Sequence, residues 1–377
     1  MNKVYDVLII GGGIIGHSIS FFLNKCGVHT VVVDKQASGN KATQAAAGML
    51  GVHTENEKTG AYHKFCEKSR DLYGGLHKEL REITSIDIEL SKFGMAEVAV
   101  HPDEKKRLHS KKMSFPYLTW EEGQSLRERI PALSENALGA LFMQEDGHVE
   151  PRQVCEALKR AALYYGGDVL EDQAVIGFKK KGDSFTVNME HSTVSAEHVV
   201  VASGADSGRW FKDTGLCNPI VPTKGECFSI KMREKFFNEA LFFRDFYVVP
   251  KADGRCIVGA TSKAGDQSTD TSAGGLSDLM NRVFSHFPEW REAAFLNFWS
   301  GVRPGTEDGV PVIGEHPSIS KLYFATGHYR NGILLAPATG QLLKNMITKK
   351  KIDPSIQALF SANRLVERGE STYEYSS

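Results

Sequence analysis

The sequence predicts an α/β fold: a Rossmann-like dinucleotide-binding domain interrupted by a second, α+β domain built on an antiparallel sheet. Three observations carry this. The run Gly11-Gly12-Gly13-Ile14-Ile15-Gly16 follows a short apolar strand and opens an apolar-periodic helix. Two further apolar strands, Val199-Val200-Val201 and Leu322-Tyr323-Phe324, each end in Ala-Ser/Thr-Gly, and fully apolar strands suit a parallel sheet covered on both faces. Between them, Phe246-Tyr247-Val248-Val249-Pro250 and Arg255 to Ala260 flank Lys251-Ala252-Asp253-Gly254, a hairpin signal that belongs in an antiparallel sheet.

Taken in order, Val4 to Ile10 is the first strand. Gly11 permits the tight turn, Gly13 lets backbone approach a pyrophosphate, and Gly16 lets helix and strand pack closely. The helix N-terminus offers N–H groups and partial positive charge to that pyrophosphate. Ile15, Ile19, Phe22 and Leu23 form one apolar face, and Gly27 caps the helix end. Asp34 closes the strand Thr30-Val31-Val32-Val33 where the dinucleotide fingerprint expects an acid, placed to accept from a ribose. The small, apolar stretch Ala42 to Leu50 either lies against a large flat ligand or is a tightly packed helix start. Tyr62 to Leu80 reads as an amphipathic helix, with Phe65, Leu72, Leu76 and Leu80 mostly spaced by four. From Ile86 to Val100 the period becomes near-alternating, as in strands. Pro151 suits the first position of a helix striped by Val154, Leu158, Ala161 and Tyr165. From about Ser361 the chain turns polar and is expected to fray.

At 377 residues, two domains are expected. A hydrophobic fraction of 41%, 24% charged residues and a net charge of −1 describe a soluble globular chain with no call for nucleic acid or an anionic membrane. The lysine clusters at 111–112, 179–181 and 349–351 read as solvated surface. Six scattered cysteines without a CxxC pair argue against a disulfide framework, and no metal is expected. No run reaches the roughly 20 apolar residues that span a bilayer. Cleaving a signal peptide would destroy the first strand, so a cytoplasmic location is expected.

Only one dinucleotide fingerprint is visible, which favours a single tightly held FAD reduced directly by substrate. Two later stretches are equally specific: Gly301 to Gly314, containing Val302-Arg303-Pro304-Gly305, and Gly327-His328-Tyr329-Arg330-Asn331-Gly332-Ile333-Leu334, continuing to Gly340. With Ala45-Ala46-Ala47-Gly48-Met49-Leu50 and Pro222-Thr223-Lys224-Gly225-Glu226-Cys227, they make the chain resemble the D-amino-acid-oxidase family of flavoproteins along nearly its whole length. Within that family it is similar to the bacterial glycine-oxidising branch associated with the thiazole of thiamine.

The resemblance implies oxidative deamination of glycine and other small amines, including sarcosine and small D-amino acids. Hydride passes to FAD, O2 reoxidises it to give H2O2, and water releases a 2-oxo acid and ammonia. The order of parallel and antiparallel segments gives a cofactor domain of residues 1–85, 145–210 and 305–361, a substrate domain of 86–144 and 211–304 and a polar tail of 362–377, and the resemblance implies a homotetramer. Arg303 is the first choice for the substrate carboxylate, since a guanidinium fork matches it and stays charged; a structural ion pair is the alternative. Tyr247 is the matching hydroxyl. Arg330 is placed near the flavin, with contact to substrate, flavin or both left open. FAD contacts are expected from Gly11, Gly13, Ile14, Ile15 and Gly16 at the pyrophosphate, and from Asp34 and Lys35 at the ribose. Ala42 and Thr43 are expected as further FAD contacts, Ala47, Gly48 and Met49 beside the ring system, Val175 at the adenine, and residues His328 through Leu334 around the ring. The helix opening at Gly332 would point its positive end at the flavin. His328 is read as structural, because hydride transfer from a neutral amine calls for no strong base. No cysteine follows Cys256, so the FAD should be noncovalent. Asp245 and Ser262 depart from the pattern, with consequences for specificity if both line the pocket.

Other readings are an amino-acid dehydrogenase passing electrons to an acceptor other than oxygen, and a flavoprotein that has lost turnover. A tRNA-modifying or glycerol-phosphate enzyme on the same fold would need a basic surface or extra phosphate-binding cations, which are not evident.

Overall fold

The computed structural model describes residues 4–231 and 237–366. Its first sheet is ordered Val312–Glu315, Leu322–Thr326, Thr193–Val201, Val4–Ile10, Thr30–Val33, Asp168–Leu170. The strands from Leu322 to Leu170 in this order pair in parallel, and Val312–Glu315 adds an antiparallel edge. The antiparallel strands Val175–Lys181 and Ser184–Met189 extend from Thr193–Val201. The two strands ending in Ala-Ser/Thr-Gly are direct neighbours, with Val199 opposite Leu322 and Val201 opposite Phe324. Both faces are dry, as their apolar runs require. Val7, Ile9 and Val200 join the core under the main helices, while Leu8, Ile10, Val199 and Val201 join the core on the opposite face.

The helices Ile14–Asn24, Ala61–Thr84, Pro151–Tyr164 and Gly332–Ile347 cover the first of these faces, joined by Phe360 of the short helix Pro354–Phe360. The helix Gly332–Ile347 contains Pro337, which has no N–H to offer the Ile333 carbonyl one turn back. The Tyr73 hydroxyl donates to that carbonyl at 2.5 Å. Nearby, Ser69 Oγ accepts from the Ala338 N–H at 3.1 Å and Ser18 Oγ donates to the Ala336 carbonyl at 2.7 Å. Helices distant in sequence thus supply the polar partners that hold the start of this helix.

The second sheet runs Lys263–Ala264, Ile220–Lys231, Arg255–Gly259, Tyr247–Pro250, Ala240–Phe242, Met95–Ala99, Gly139–Met143, Thr119–Glu121. The long strand Ala294–Thr306 pairs with Ile220–Lys231. Pairings are antiparallel except that of Ala240–Phe242 with Met95–Ala99. The expected hairpin forms, with Tyr247 opposite Gly259. One face packs Phe228, Val248 and Val258 on Leu279 and Val283 of the helix Ala273–His286. The other gathers Tyr247, Val249 and Ile257 with Phe242 and, from the N-terminal segment, Ala47.

Three expectations need correction. Lys111, read as solvated surface, is buried, its ammonium donating to the His53 carbonyl at 2.9 Å and to Glu97 at 2.7 Å. Of Ile86 to Val100, only Met95–Ala99 is a strand, and Ser91 makes a lone bridge to His148. The alternation at Ile86, Ile88 and Leu90 instead feeds the helical core of the first half. Nor does the chain fray from Ser361: Ala362 and Leu365 are buried, and Arg364 donates to the Val310 and Pro311 carbonyls and pairs with Asp308. The remainder of the expected tail, 367–377, lies outside the described residues.

Candidate active site

The glycine turn is shaped by contacts that leave no room for side chains. Gly11 has φ of +115°, and a Cβ there would meet the Ala202 carbonyl oxygen at 2.5 Å. A Cβ on Gly16 would come within 1.9 Å of the Gly11 carbonyl oxygen. The Gly12 N–H donates to Asp34 Oδ2 at 2.6 Å and the Gln36 N–H to Asp34 Oδ1 at 2.9 Å. Asp34 therefore braces the turn that it was expected to accompany. The Ile14 N–H donates to Thr43 Oγ1 at 3.1 Å, whereas the N-cap residue is Gly13, without a side chain to occupy the following amides. Ser38 Oγ is buried there without a hydrogen-bond partner, 2.9 Å from where a Cβ on Gly12 would sit. An anionic or hydroxyl-rich group at this helix start fits the donors present. Lys35 and Lys41 both pair with Asp206, at 3.3 and 2.5 Å. Val175 is buried in the opposite core, two residues past Gln173, whose N–H donates to the Asp34 carbonyl at 2.9 Å.

The Ala42 to Leu50 stretch resolves into the short helix Ala42–Ala45 and the strand Met49–Leu50. It connects the glycine turn to the second sheet. Trp299 Nε1 donates to the Ala45 carbonyl at 3.2 Å. The buried Lys251 ammonium donates to the Ala47 and Val149 carbonyls, each at 2.8 Å, and lies 3.5 Å from Glu150 Oε2. Burial pulls the Lys251 pKa below the ordinary lysine value, against the pull of Glu150. Gly48, with φ of +91°, turns the chain against the Val149 carbonyl.

Tyr247 is buried, 3.5 Å through its hydroxyl from Cys227 Sγ, and burial raises its pKa well above the ordinary phenol value. It stays a protonated donor at neutral pH. Arg303 donates to the Thr261 carbonyl at 3.3 Å. Among the described residues no carboxylate pairs with it, so the structural ion pair considered above is not what holds it. The guanidinium rests on Gly225, where a Cβ would come within 2.4 Å of it, and Tyr247 rests likewise on Gly259. Arg303 and Arg330 both lie close enough to act electrostatically on the Tyr247 hydroxyl. Arg330 itself pairs with Glu55 at 3.0 Å, and its guanidinium sits 5.0 Å from the Phe242 ring centre.

Among the strand-to-helix residues, His328 is buried with Nε2 on Thr339 Oγ1 at 3.1 Å. Burial lowers its pKa to about 3, so the ring is neutral. Tyr329 takes a left-handed φ of +50° at the turn, Asn331 Nδ2 donates to the Tyr62 hydroxyl at 3.1 Å, and Ile333 and Leu334 are buried. Gly332 begins the long helix. Asp245 and Ser262 are exposed. Sequence reasoning missed Glu55, Phe242, Trp299 and Lys251. Only Lys251 carried a signal, a lysine abutting a hairpin strand, and it reads there as a turn residue.

The profile of the DAO family, described as FAD dependent oxidoreductase, matches residues 6–346. Glycine oxidase of Bacillus subtilis (strain 168) is 38% identical over 364 residues, covering 97% of this chain and 98% of that protein. The bifunctional protein ThiO/ThiG of Synechocystis sp. (strain ATCC 27184 / PCC 6803 / Kazusa) is 33% identical over 374 residues, 97% of this chain but 55% of that longer protein. The crystal structure of glycine oxidase from Geobacillus kaustophilus superposes with a TM-score of 0.93 at 35% identity, over 97% of this chain and 99% of that one. The similarity takes in the glycine turn, both sheets and the arginine-lined corner together, and the chain belongs to the DAO family of FAD-dependent oxidoreductases.

Proposed function

We propose that this protein oxidises glycine and other small amines, sarcosine and small D-amino acids among them, to a 2-oxo acid (glyoxylate from glycine), ammonia and hydrogen peroxide. The observation that carries this is Arg303: a partly buried guanidinium without a carboxylate partner among the described residues, beside a protonated Tyr247. An amino-acid carboxylate is the ligand that such a corner lacks, and a planar fork binds it through two parallel hydrogen bonds. FAD, when bound noncovalently, would supply the two-electron acceptor for the substrate Cα hydride, with oxygen as the final acceptor.

The roles follow. Gly11, Gly13 and Gly16, with Ile14 and Ile15, shape the turn and helix start that take the pyrophosphate. Asp34 and Lys35 serve the ribose and Val175 the adenine. Ala42 and Thr43 contact FAD from beside the glycine turn, and Ala47 to Met49 flank the ring system, together with the backbone from His328 to Leu334. Arg303 anchors the carboxylate, Tyr247 donates to it, and Arg330, steadied by Glu55, adds positive charge at the same mouth. His328 is neutral and bonded to Thr339, and it takes no proton from substrate. The helix from Gly332 turns its positive end toward developing negative charge. We assign the cofactor domain to 1–85, 145–210 and 305–361 and the substrate domain to 86–144 and 211–304, a division supported by the way the strands sort into the two sheets. Likeness to glycine oxidases and to ThiO/ThiG supports service in thiamine thiazole synthesis; the same reading makes the enzyme a cytoplasmic homotetramer. No helix among the described residues is long and apolar enough to cross a membrane.

The test is anaerobic mixing of the yellow protein with glycine, followed by air. Bleaching of the flavin, then recovery with stoichiometric peroxide, is the expected result. Bleaching without recovery in air would replace oxidase by dehydrogenase, and no bleaching with glycine, sarcosine or D-alanine would overturn the reading.

A further inference from the structure

Outside the proposed active site, one cluster of ligating side chains has no role in the chemistry above. His53 lies in the segment after the strand Met49–Leu50, while His63 and Glu67 stand one turn apart at the start of the helix Ala61–Thr84. We propose that these three residues bind a first-row divalent transition-metal ion of the zinc type. One ligand atom from each falls within 4.8 Å of the other two. Tetrahedral ligands to zinc stand roughly 3.3 Å apart. His63 Nδ1 lies 3.4 Å from Glu67 Oε2, and the ring's other nitrogen, Nε2, is the one still free for an ion.

Two features point to a ligand rather than to packing. His63 Nε2 is buried with no hydrogen-bond partner, in a side chain only 3% exposed, a costly state for a neutral imidazole unless something occupies its free donor or acceptor. His53 is oriented as metal-bound histidines are. The wholly buried Asp146 carboxylate sits 3.1 Å from His53 Nδ1, which places the proton there and leaves the Nε2 lone pair outward, 2.9 Å from the Tyr117 hydroxyl. The His53 and His63 rings stand edge to face, 5.5 Å apart between centres, with Phe115 walling both. Glu67 is one-third exposed and Tyr117 is exposed, giving an ion a way in. The surrounding charge includes Arg70, paired with Asp71, Glu145 and Asp146, and Lys111, paired with Glu57 and Glu97. Carboxylates outnumber the cations. Two imidazoles and one carboxylate with room for water make a borderline-soft site that suits zinc better than magnesium or calcium.

The cluster also joins two segments that serve the other site: Glu55, two residues past His53, pairs with Arg330, and Tyr62, beside His63, accepts from Asn331. An ion would pin that loop to the helix.

The experiment uses the FAD-loaded protein carrying Cys26→Ser and Cys217→Ser, which remove the two exposed thiols. After EDTA treatment and dialysis it is titrated with Zn2+ by calorimetry, and retained zinc is measured after gel filtration. One ion per chain and a raised Tm are expected. His63→Gln and Glu67→Gln should each weaken binding at least about tenfold, with the flavin spectrum unchanged as proof of fold, while His109→Gln on the exposed surface changes nothing. Absence of stoichiometric binding, or binding that survives both ligand variants, would overturn the proposal.

Discussion

The glycine turn and the arginine corner solve opposite problems. At the turn, Gly11 and Gly16 work by what they lack: a Cβ at Gly16 would sit 1.9 Å from the Gly11 carbonyl oxygen, so backbone itself would form the proposed binding surface. The pieces are local, a strand, a turn and a helix within about 25 residues. At the corner, the proposed work would fall to side chains brought from separate strands and loops: Glu55, Phe242, Tyr247, Arg303 and Arg330. Their spacing depends on the register of Ile220–Lys231 against Ala294–Thr306, which sets Thr223 opposite Arg303 and Cys227 opposite Trp299. A backbone site tolerates almost no substitution, whereas a side-chain site can lose a member and remain folded.

The largest effect that follows is Gly16→Ala. Its methyl group collides with fixed backbone, so a cost of about 3 kcal/mol or more is expected. The variant should purify with little FAD and a sharply lowered Tm. A yellow, stable Gly16→Ala protein would break the contrast.

Next comes Arg303→Ala. It should leave FAD content and Tm near those of the parent while kcat/KM for glycine falls by about 2–5 kcal/mol in transition-state terms. Arg303→Lys should recover only part of this, because an ammonium lacks the fork. Loss of flavin binding in either variant would show that the corner is structural after all.

The smallest effect belongs to the first region alone. His17, in the helix after the turn, is fully buried, and burial, helped by Lys159, lowers its pKa to about 4. Between pH 6.5 and 4 the unfolded chain binds a proton at this position that the folded chain refuses. Stability therefore falls as pH drops through that window, by up to about 3 kcal/mol. His328, lowered to about 3, acts in the same direction. Neither ring nitrogen of His17 has a hydrogen-bond partner, so His17→Leu should flatten the acid limb of a Tm-against-pH curve without moving kcat.

Much of this was legible beforehand, for reasons that can be named. The strand Val4–Ile10, the helix after it, the hairpin around 251–254 and the helix from Pro151 are short-range patterns of apolar period, turn residues and helix starts, and they form where they were read. The candidate residues Arg303, Tyr247 and Arg330 were found through resemblance, since nothing in their own neighbourhoods marks them. The alternation from Ile86 to Leu90 misled because periodicity records which residues are buried, not which backbone buries them. The end of the chain misled in the opposite way: Ala362 and Leu365 are two small anchors in polar surroundings, too sparse to show a period.

What the sequence determined by itself is the set of local devices, above all a turn that only glycines can make, because those depend on neighbours a few residues away. The tertiary structure alone decided which partners meet. It gave Arg330 its Glu55, put the Lys251 ammonium on the Ala47 and Val149 carbonyls, and left Arg303 without a carboxylate among the described residues. It also set the Tyr73 hydroxyl on the carbonyl that Pro337 frees. Each of these joins groups far apart along the chain, and a hydrogen bond or ion pair is sensitive to distances of a few tenths of an ångström that only the completed packing defines.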